Sequence, residues 1–599
     1  MSLRYVIPLL VLVLALTALF VWQRVDLRSQ YLRNVWPVLS GVRLLRDQPV
    51  QMRDGVSLAT DVYLPTRHEP PYPVIYIQTP YDKQDFFGGL HALRMFAPHG
   101  YAIAVQNVRG RFNSGGVFSI YDHAVTDGWD TLTWLAQQEW SNGRVGTFGC
   151  SALGEVQYIL AEARHPAHAA MIAEAAGGAI GAAANRHGYF GLWEGGVFNL
   201  AAGVGWFTEH GAKTKYERSG TVTPELLQRL PIIDLVRQSG APTTDYEDYV
   251  SHPPGDPWWS TKPFLDEARG FAVPGLHVNS WFDLGVADAL TLAFARGAPD
   301  AAPQSAIVSP AAHCGSEEMR KEDVIGELLV TGADQPYEQH FLAFFDHWLK
   351  SGRDYRLPAV RVFVIGADRW VDLDAWPPEE VDYEDWFLGS EEDARTAAGD
   401  GRLSRRPVTP GSDAFTYDPL NPVPTRGGPH CCTGNSEDRP GSFDQSASGR
   451  RDDVLVYESD ALDVPLTVIG PLTVHLEVAT NAADTDFTAK LIDVWPDGRA
   501  FNVQDGVFRL RYRDGYASPK RAQIGEWYTI EIGLRAAAWE FRSGHRLRLE
   551  VSSSNFPRLA RNLNTGGATE LEVDPVTAVN TVRYGGVRGS RLVLPRYQE

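Results

Sequence analysis

Residues 146–154 read Gly-Thr-Phe-Gly-Cys-Ser-Ala-Leu-Gly, so Ser151 stands between Gly149 and Gly154 at the junction of a strand-like run and a long helical stretch. A serine exposed on such a strand-to-helix turn crowds the residues two before and three after it, which must therefore be small. Both are glycine here. The helix that follows directs its first N–H groups at any oxyanion forming beside the serine. The pattern is that of a nucleophile-elbow candidate, a motif that is weak alone and needs partners elsewhere in the chain. Cys150 is the rival nucleophile, because thiols also serve on such turns. Its register is worse, since a Cys150 apex puts Phe148 at the crowded position two before it.

A doubly wound hydrolase carries an acid and then a histidine downstream of its serine. The stretch from Val273 to Asp288 is an apolar strand ending in a polar loop that holds Asp283, and further on Ala306-Ile307-Val308 leads into a loop that holds His313. Loops at the C-terminal ends of parallel strands share one edge of the sheet, so Ser151, Asp283 and His313 can converge there as a triad. Taken singly, the aspartate also reads as a helix cap and the histidine as a surface or core residue. Their order at three strand ends favours the triad.

Further motifs accompany the elbow. They are Met52-Arg53-Asp54-Gly55-Val56 with Asp61-Val62-Tyr63-Leu64-Pro65, Thr79-Pro80-Tyr81-Asp82-Lys83, Val108-Arg109-Gly110-Arg111-Phe112-Asn113-Ser114-Gly115-Gly116, Trp281-Phe282-Asp283 and Phe345-Asp346-His347-Trp348-Leu349-Lys350. With these the chain after about residue 40 resembles the cocaine esterase, cephalosporin acylase and X-Pro dipeptidyl-peptidase family of serine hydrolases. The resemblance implies an α/β-hydrolase fold with an inserted cap and a C-terminal jelly-roll β-sandwich. It assigns Ser151 as nucleophile, His313 as general base and then acid, and Asp283 as the group that orients the imidazole. It also implies that Tyr81 gives its hydroxyl to the oxyanion; the alternative is an aromatic packed at a strand end. The second donor is the backbone N–H of Ala152.

Three positions depart from the family pattern. Ala152 stands where many relatives carry tyrosine, which keeps the backbone donor but widens the space beside the nucleophile. Asn107 replaces an aspartate and Cys314 opens the loop after His313; both read as local packing changes. Relatives that take α-amino acid esters hold the ammonium with carboxylates, and a buried ammonium without a partner is costly. No such cluster is visible: Asp283 is followed by Leu284 and Gly285, and Ala175 to Ala182 is neutral. Glu194 is the nearest acidic candidate and reads as a cap-surface residue. Ester hydrolysis is therefore favoured over release of N-terminal dipeptides.

A chain of 599 residues with 44% hydrophobic content exceeds one ordinary core. Residues 36–178 and 273–355 alternate strand and helix signals and form the catalytic domain, while 179–272 lose the strands and read as a helical cap. Short alternating runs from Arg361 to Ile365 onward place a β-sandwich at 356–599, with long loops between Glu391 and Gly449. That module is read as structural rather than carbohydrate-binding. A net charge of −19 argues against nucleic-acid partners. The four cysteines lack zinc spacing, so no metal or other cofactor is expected. Cys431 and Cys432 read as thiols, with a vicinal disulfide as the alternative; Cys150 and Cys314 could approach one another because Ser151 and His313 do.

The run from Val6 to Trp22 is uncharged. It is long for a signal-peptide core and at the lower limit of a membrane span. It reads as a signal-anchor within residues 1–35 that tethers the catalytic domains to the membrane outside the cytoplasm; a cleaved signal and a soluble periplasmic or extracellular enzyme is the alternative. The expected activity is hydrolysis of a small-molecule carboxylic ester through an acyl-Ser151 intermediate. An amide hydrolase of the dipeptidyl-peptidase or acylase type is the second reading, and a catalytically silent binding protein the third.

Overall fold

Strands buried on both faces are continuous apolar runs, and Tyr72–Thr79 and Ala102–Asn107 are buried at every position. They lie near the middle of a ten-stranded sheet in the computed structural model. The structure describes residues 41–598 apart from 85–88, 178–180, 184–185, 188–191, 214–218, 264, 267–269, 295–300, 351–354, 436–437 and 587–588. The expected anchor at 6–22 lies outside the described residues. Among those described, no helix is long and apolar enough to cross a membrane.

The sheet is built from β1 (Val42–Gln51), β2 (Ser57–Pro65), β3 (Tyr72–Thr79), β4 (Ala102–Asn107), β5 (Ser141–Cys150), β6 (His168–Glu174), β7 (Gly275–Phe282), β8 (Gln304–Ala312), β9 (Val360–Val364) and β10 (Arg369–Leu373). Their spatial order is β1-β2-β4-β3-β5-β6-β7-β8-β9-β10. Pairing is parallel from β4 through β9 and antiparallel at both edges. On one face α1 (His91–Phe96) and the late helix Tyr337–Leu349 pack Phe96, Phe341 and Phe345 against Ile75, Ile103 and Ile172. On the other, α2 (Ala124–Ala136) seats Leu132 and Leu135 against Val62, Val74 and Ala104. The elbow helix α3 (Ala152–Ala161) is buried at all of its residues, which explains why its sequence is apolar apart from Glu155 and Gln157.

The family motifs turn out to be supports. Arg109 donates to both carboxylate oxygens of Asp127 in the first turn of α2, at 2.6 and 3.1 Å, and to Asp54 at 2.7 Å. A carboxylate in that turn also suits the positive end of the helix. One fork thus pins the β1–β2 turn and α2 to the loop after β4.

Two expectations about organisation change. The segment inserted between β6 and β7 is mixed rather than helical. It holds α4 (Leu200–His210) and short helical turns, but also a hairpin of Trp193–Glu194 with Val197–Phe198. Gly195 and Gly196, at φ +55° and +83°, make its turn, as a two-glycine hairpin signal allows. The run Arg361 to Ile365, expected in the sandwich, supplies β9 of the catalytic sheet instead. A short apolar run suits either environment, and only its contact with β8 decides.

From Val381 to Tyr597 the chain forms an antiparallel β-rich domain whose longest strands, Leu466–Thr480 and Tyr528–Phe541, pair with each other. It does not stand apart from the catalytic sheet. Trp281, Phe282 and Val286 share one hydrophobic core with Val474, Leu534 and Trp539, so the strand leading to Asp283 is sealed by the β-rich domain.

Candidate active site

Ser151 caps β5 at φ 62° and ψ −128°, a conformation that a non-glycine residue holds only where its surroundings impose it. The two flanking glycines show how. A Cβ on Gly154 would meet the Glu174 carbonyl oxygen at 2.7 Å, and one on Gly149 would meet Leu153 at 2.7 Å. The Ser151 N–H donates to that same Glu174 carbonyl at 2.9 Å. The turn therefore lies directly against the end of β6.

The structure brings the three residues expected from sequence to one edge. The Ser151 hydroxyl donates to His313 Nε2 at 2.8 Å, and His313 Nδ1 donates to Asp283 Oδ2 at 2.5 Å, in the one tautomer that satisfies both contacts. The other carboxylate oxygen of Asp283 accepts the Gly285 N–H at 2.9 Å. Burial alone disfavours ionised Asp283, but the adjacent His313, the Gly285 N–H and Arg535 outweigh it and hold the carboxyl below its ordinary value. Burial likewise opposes the imidazolium, yet Asp283 raises His313 above its ordinary value, with a smaller contribution from Glu155. Such a chain can take a proton from a serine hydroxyl and hold it on nitrogen.

Tyr81 also adjoins Ser151, with its hydroxyl in contact with the serine side chain and accepting from Trp206 Nε1 at 3.4 Å. Burial raises its phenol further above neutrality, so it is a proton donor at working pH. The segment around it is fixed from behind: Asn107 Nδ2 donates to the Tyr81 carbonyl at 2.6 Å, and Arg111 Nε to the Pro80 carbonyl at 2.9 Å. Asn107 is thus a holder of Tyr81, not a neutral packing change. Ala152 is the first residue of α3, where the backbone N–H has no acceptor within the helix.

A small pocket of about 50 Å³ adjoins the triad, lined in part by Leu192, Trp206, Glu155, Asp288, Cys431 and Cys432. A second, of about 40 Å³, lies on the Ala152 side against Phe118, Ile120, Tyr121 and Val156. The expected neutrality of the site is therefore corrected. Glu155 sits one turn along α3 from Ser151, on the same helical face, a spacing that the sequence displayed. One of its oxygens accepts the Gly177 N–H at 2.7 Å.

Glu194 is corrected too. It is 5% exposed, ion-paired with Arg535, and lies 3.2 Å from Arg558, both from the β-rich domain. Arg535 also donates to the Leu284 carbonyl at 2.7 Å, and Gln504 to the Trp281 carbonyl at 2.6 Å, so the β-rich domain holds the Asp283 loop on both sides of the acid. Arg535 has φ 65° at a register shift opposite Pro471 and Thr473, a bulge that re-aims its side chain into the interface. No sequence signal near the motifs pointed to it.

The cysteines form two disulfides: Cys431–Cys432, in place of the expected thiols, and Cys150–Cys314, the pair that could approach one another. Cys150 is thereby removed as a nucleophile. Ligand atoms of His313, Cys431 and Cys432 lie within 4.8 Å of one another, but sulfurs paired in a disulfide have no thiolate to offer a metal.

The raised His313 value sets the pH dependence. The neutral imidazole is lost as pH falls through its pKa, so the acid limb of kcat/KM is expected above the ordinary imidazole value of about 6.5; a pH–rate profile checks it. Arg535→Met leaves Glu194 short of a partner inside the interface and is expected to lower stability by about 3–5 kcal/mol, with loss of kcat. Chemical denaturation checks this, with Glu194→Gln/Arg535→Met expected to regain part of the loss.

Sequence and structure comparison show which family the chain belongs to. The X-Pro dipeptidyl-peptidase (S15 family) profile matches residues 54–315, and the X-Pro dipeptidyl-peptidase C-terminal non-catalytic domain matches 354–593. The chain is 35% identical to cocaine esterase from Rhodococcus sp. (strain MB1 Bresler) over 572 residues, covering 91% of this chain and 97% of the relative. Among solved structures, an aminopeptidase from a marine sediment Thaumarchaeota archaeon superimposes with a TM-score of 0.80 at 24% identity, covering 94% and 97% of the two chains. An alpha-amino acid ester hydrolase gives 0.76 at 24% identity, covering 93% and 97%. With both domains matched and one relative aligned along nearly its whole length, the chain belongs to the cocaine esterase and X-Pro dipeptidyl-peptidase (S15) family of serine hydrolases.

Proposed function

We propose that this protein hydrolyses small neutral carboxylic esters through an acyl-enzyme on Ser151. The observation that carries the reading is the continuous hydrogen-bond chain from Ser151 through His313 to Asp283, with the Tyr81 hydroxyl against the same serine. Ser151 Oγ attacks the ester carbonyl while its proton passes to His313 Nε2. Tyr81 and the Ala152 N–H hold the oxyanion. Collapse expels the alcohol, which takes the proton from His313, and water attacks the acyl-enzyme by the same steps in reverse to release the acid. Apolar walls at Phe118, Ile120, Leu192 and Trp206, with a small Ala152 between them, suit aromatic or branched acyl groups.

A second reading is favoured by one feature. Glu155 and Asp288 on the pocket wall could attract a free amino group on the acyl part, as amino acid esters and peptides carry. On placement, the two disulfides support a site outside the cytoplasm, where such bonds persist; cell fractionation tests this, and recovery in the cytosol with free thiols would refute it.

Ser151→Ala is expected to lower ester turnover by about 10⁴-fold to 10⁶-fold in a folded protein. Tyr81→Phe is expected to slow acylation by about 10²-fold to 10³-fold with little change in affinity. A panel of p-nitrophenyl esters against Gly-Pro and Ala-Pro anilides decides between the readings. Highest kcat/KM on free-amine substrates, lost when the amine is blocked, would replace the ester assignment with the peptidase one.

A further inference from the structure

One of the two disulfides flanks the reacting residues in a way the hydrolytic steps do not use. Cys150 immediately precedes Ser151, Cys314 immediately follows His313, and the two are joined in a disulfide across 164 residues of sequence with Cα atoms 5.9 Å apart. We propose that this disulfide is a positioning device for the hydrolytic site: it holds His313 at hydrogen-bonding distance from Ser151, and its reduction uncouples the pair. The inference rests on the roles proposed above for those two residues.

The sheet itself holds them apart. Ser151 leaves β5 and His313 leaves β8, with β6 and β7 between, so the strands that carry them are three spacings of about 4.8 Å distant. Loops must close that gap. Hydrogen bonds of the His313 loop run back to its own strand and to β7, as in Gly315 N–H to the Ala312 carbonyl at 3.0 Å, Ser316 Oγ with Ser309 Oγ at 2.9 Å, and Ser316 Oγ to the Asn279 carbonyl at 3.3 Å, and sideways to α1, where His91 Nε2 lies 2.9 Å from Glu317. They orient the loop, but among them only the His313–Ser151 bond that the chemistry itself must break and remake reaches the end of β5. The disulfide ties the loop there covalently. The backbone at each end of the bond is also conformationally unusual, with Ser151, next to Cys150, at φ 62° and Cys314 itself at φ 56°. Such backbone persists where neighbouring bonds over-determine it, and a crosslink between two such turns supplies that constraint.

The bond is also reachable without entering the substrate pocket. Cys150 and Cys314 line a cavity of about 770 Å³ bounded by Met95, Phe148, Leu153 and Tyr337, which shares no lining residue with the pocket over Ser151. A small dithiol reductant entering there attacks one sulfur as thiolate, passes through a mixed disulfide, and leaves as its cyclic disulfide. It delivers two electrons and two protons, and Cys150 and Cys314 end as two thiols.

The test uses the purified full-length protein and a Cys431→Ser/Cys432→Ser variant, in which Cys150–Cys314 is the bond left to reduce. Each is treated with dithiothreitol, and alkylation with mass spectrometry maps the thiols formed. Turnover of a p-nitrophenyl ester, the rate of Ser151 labelling by a fluorophosphonate and far-UV circular dichroism are then followed. Once Cys150 and Cys314 are reduced, kcat and the labelling rate are expected to fall together by about 10-fold to 10²-fold, as a misplacement of about 1 Å can cause. KM is expected to change little, the fold to persist and reoxidation to restore the rate. Cys150→Ala/Cys314→Ala is expected to match the reduced protein and to ignore the reductant. Unchanged kcat and labelling with both thiols alkylated would overturn the proposal, as would a double variant at full rate or a parallel loss of KM and fold. If the double variant does not fold, the reduced protein decides. Failure of the oxidised protein to label at Ser151 would instead sink the serine mechanism, and this inference with it.

Discussion

The carboxylate of Glu194, closed off from water between the guanidinium groups of Arg535 and Arg558, joins the three parts of this chain that must act together. A lone buried charge is too costly to keep, so the inserted segment can bring Glu194 inside only where the β-rich domain brings its arginines. Arg558 in turn pairs with Asp505 at 2.7 Å. Arg535 reaches on to the Leu284 carbonyl, beside the acid that orients His313. The position of a hydrolytic group on one domain is thereby set by a salt bridge made on another.

That dependence gives the β-rich domain a mechanical role in the hydrolytic site. Gln504 and Arg535 hold the backbone on either side of Phe282 and Asp283, and the core around Trp281 closes the strand behind them. On the nucleophile side the support is local. The Ser151 turn lies against β6 with no room for a side chain at Gly154, and Tyr81 is braced by Asn107 and Arg111. One half of the site is built by close packing within the sheet, the other by polar contacts across a domain interface.

The pocket wall shows how far patterns along the chain carry. Ala175 to Ala182 and the residues after Asp283 are neutral, but Glu155 faces the site because an α-helix repeats every 3.6 residues. Helical spacing would have found it. Nothing comparable would have found Arg535, whose direction comes from a bulge in a strand far along the chain. The run at Val360–Val364 was ambiguous for a different reason, since the same apolar residues satisfy a parallel edge or a sandwich strand, and the neighbour chooses.

By itself, the sequence determined the parts whose chemistry is local: the glycine spacing that admits a serine turn, the order of serine, acid and histidine, the parallel sheet implied by strand and helix alternation, and the motifs that carry the family resemblance. Those features depend on backbone sterics and on residues a few positions apart. Tertiary structure decided what distant segments do when they meet. It joined Cys150 to Cys314 and buried Glu194 against Arg535 and Arg558. The physical reason is that disulfide bonds and buried ion pairs are made between partners chosen by proximity in space, and one sequence gives proximity only within a turn of helix or a pair of adjacent strands.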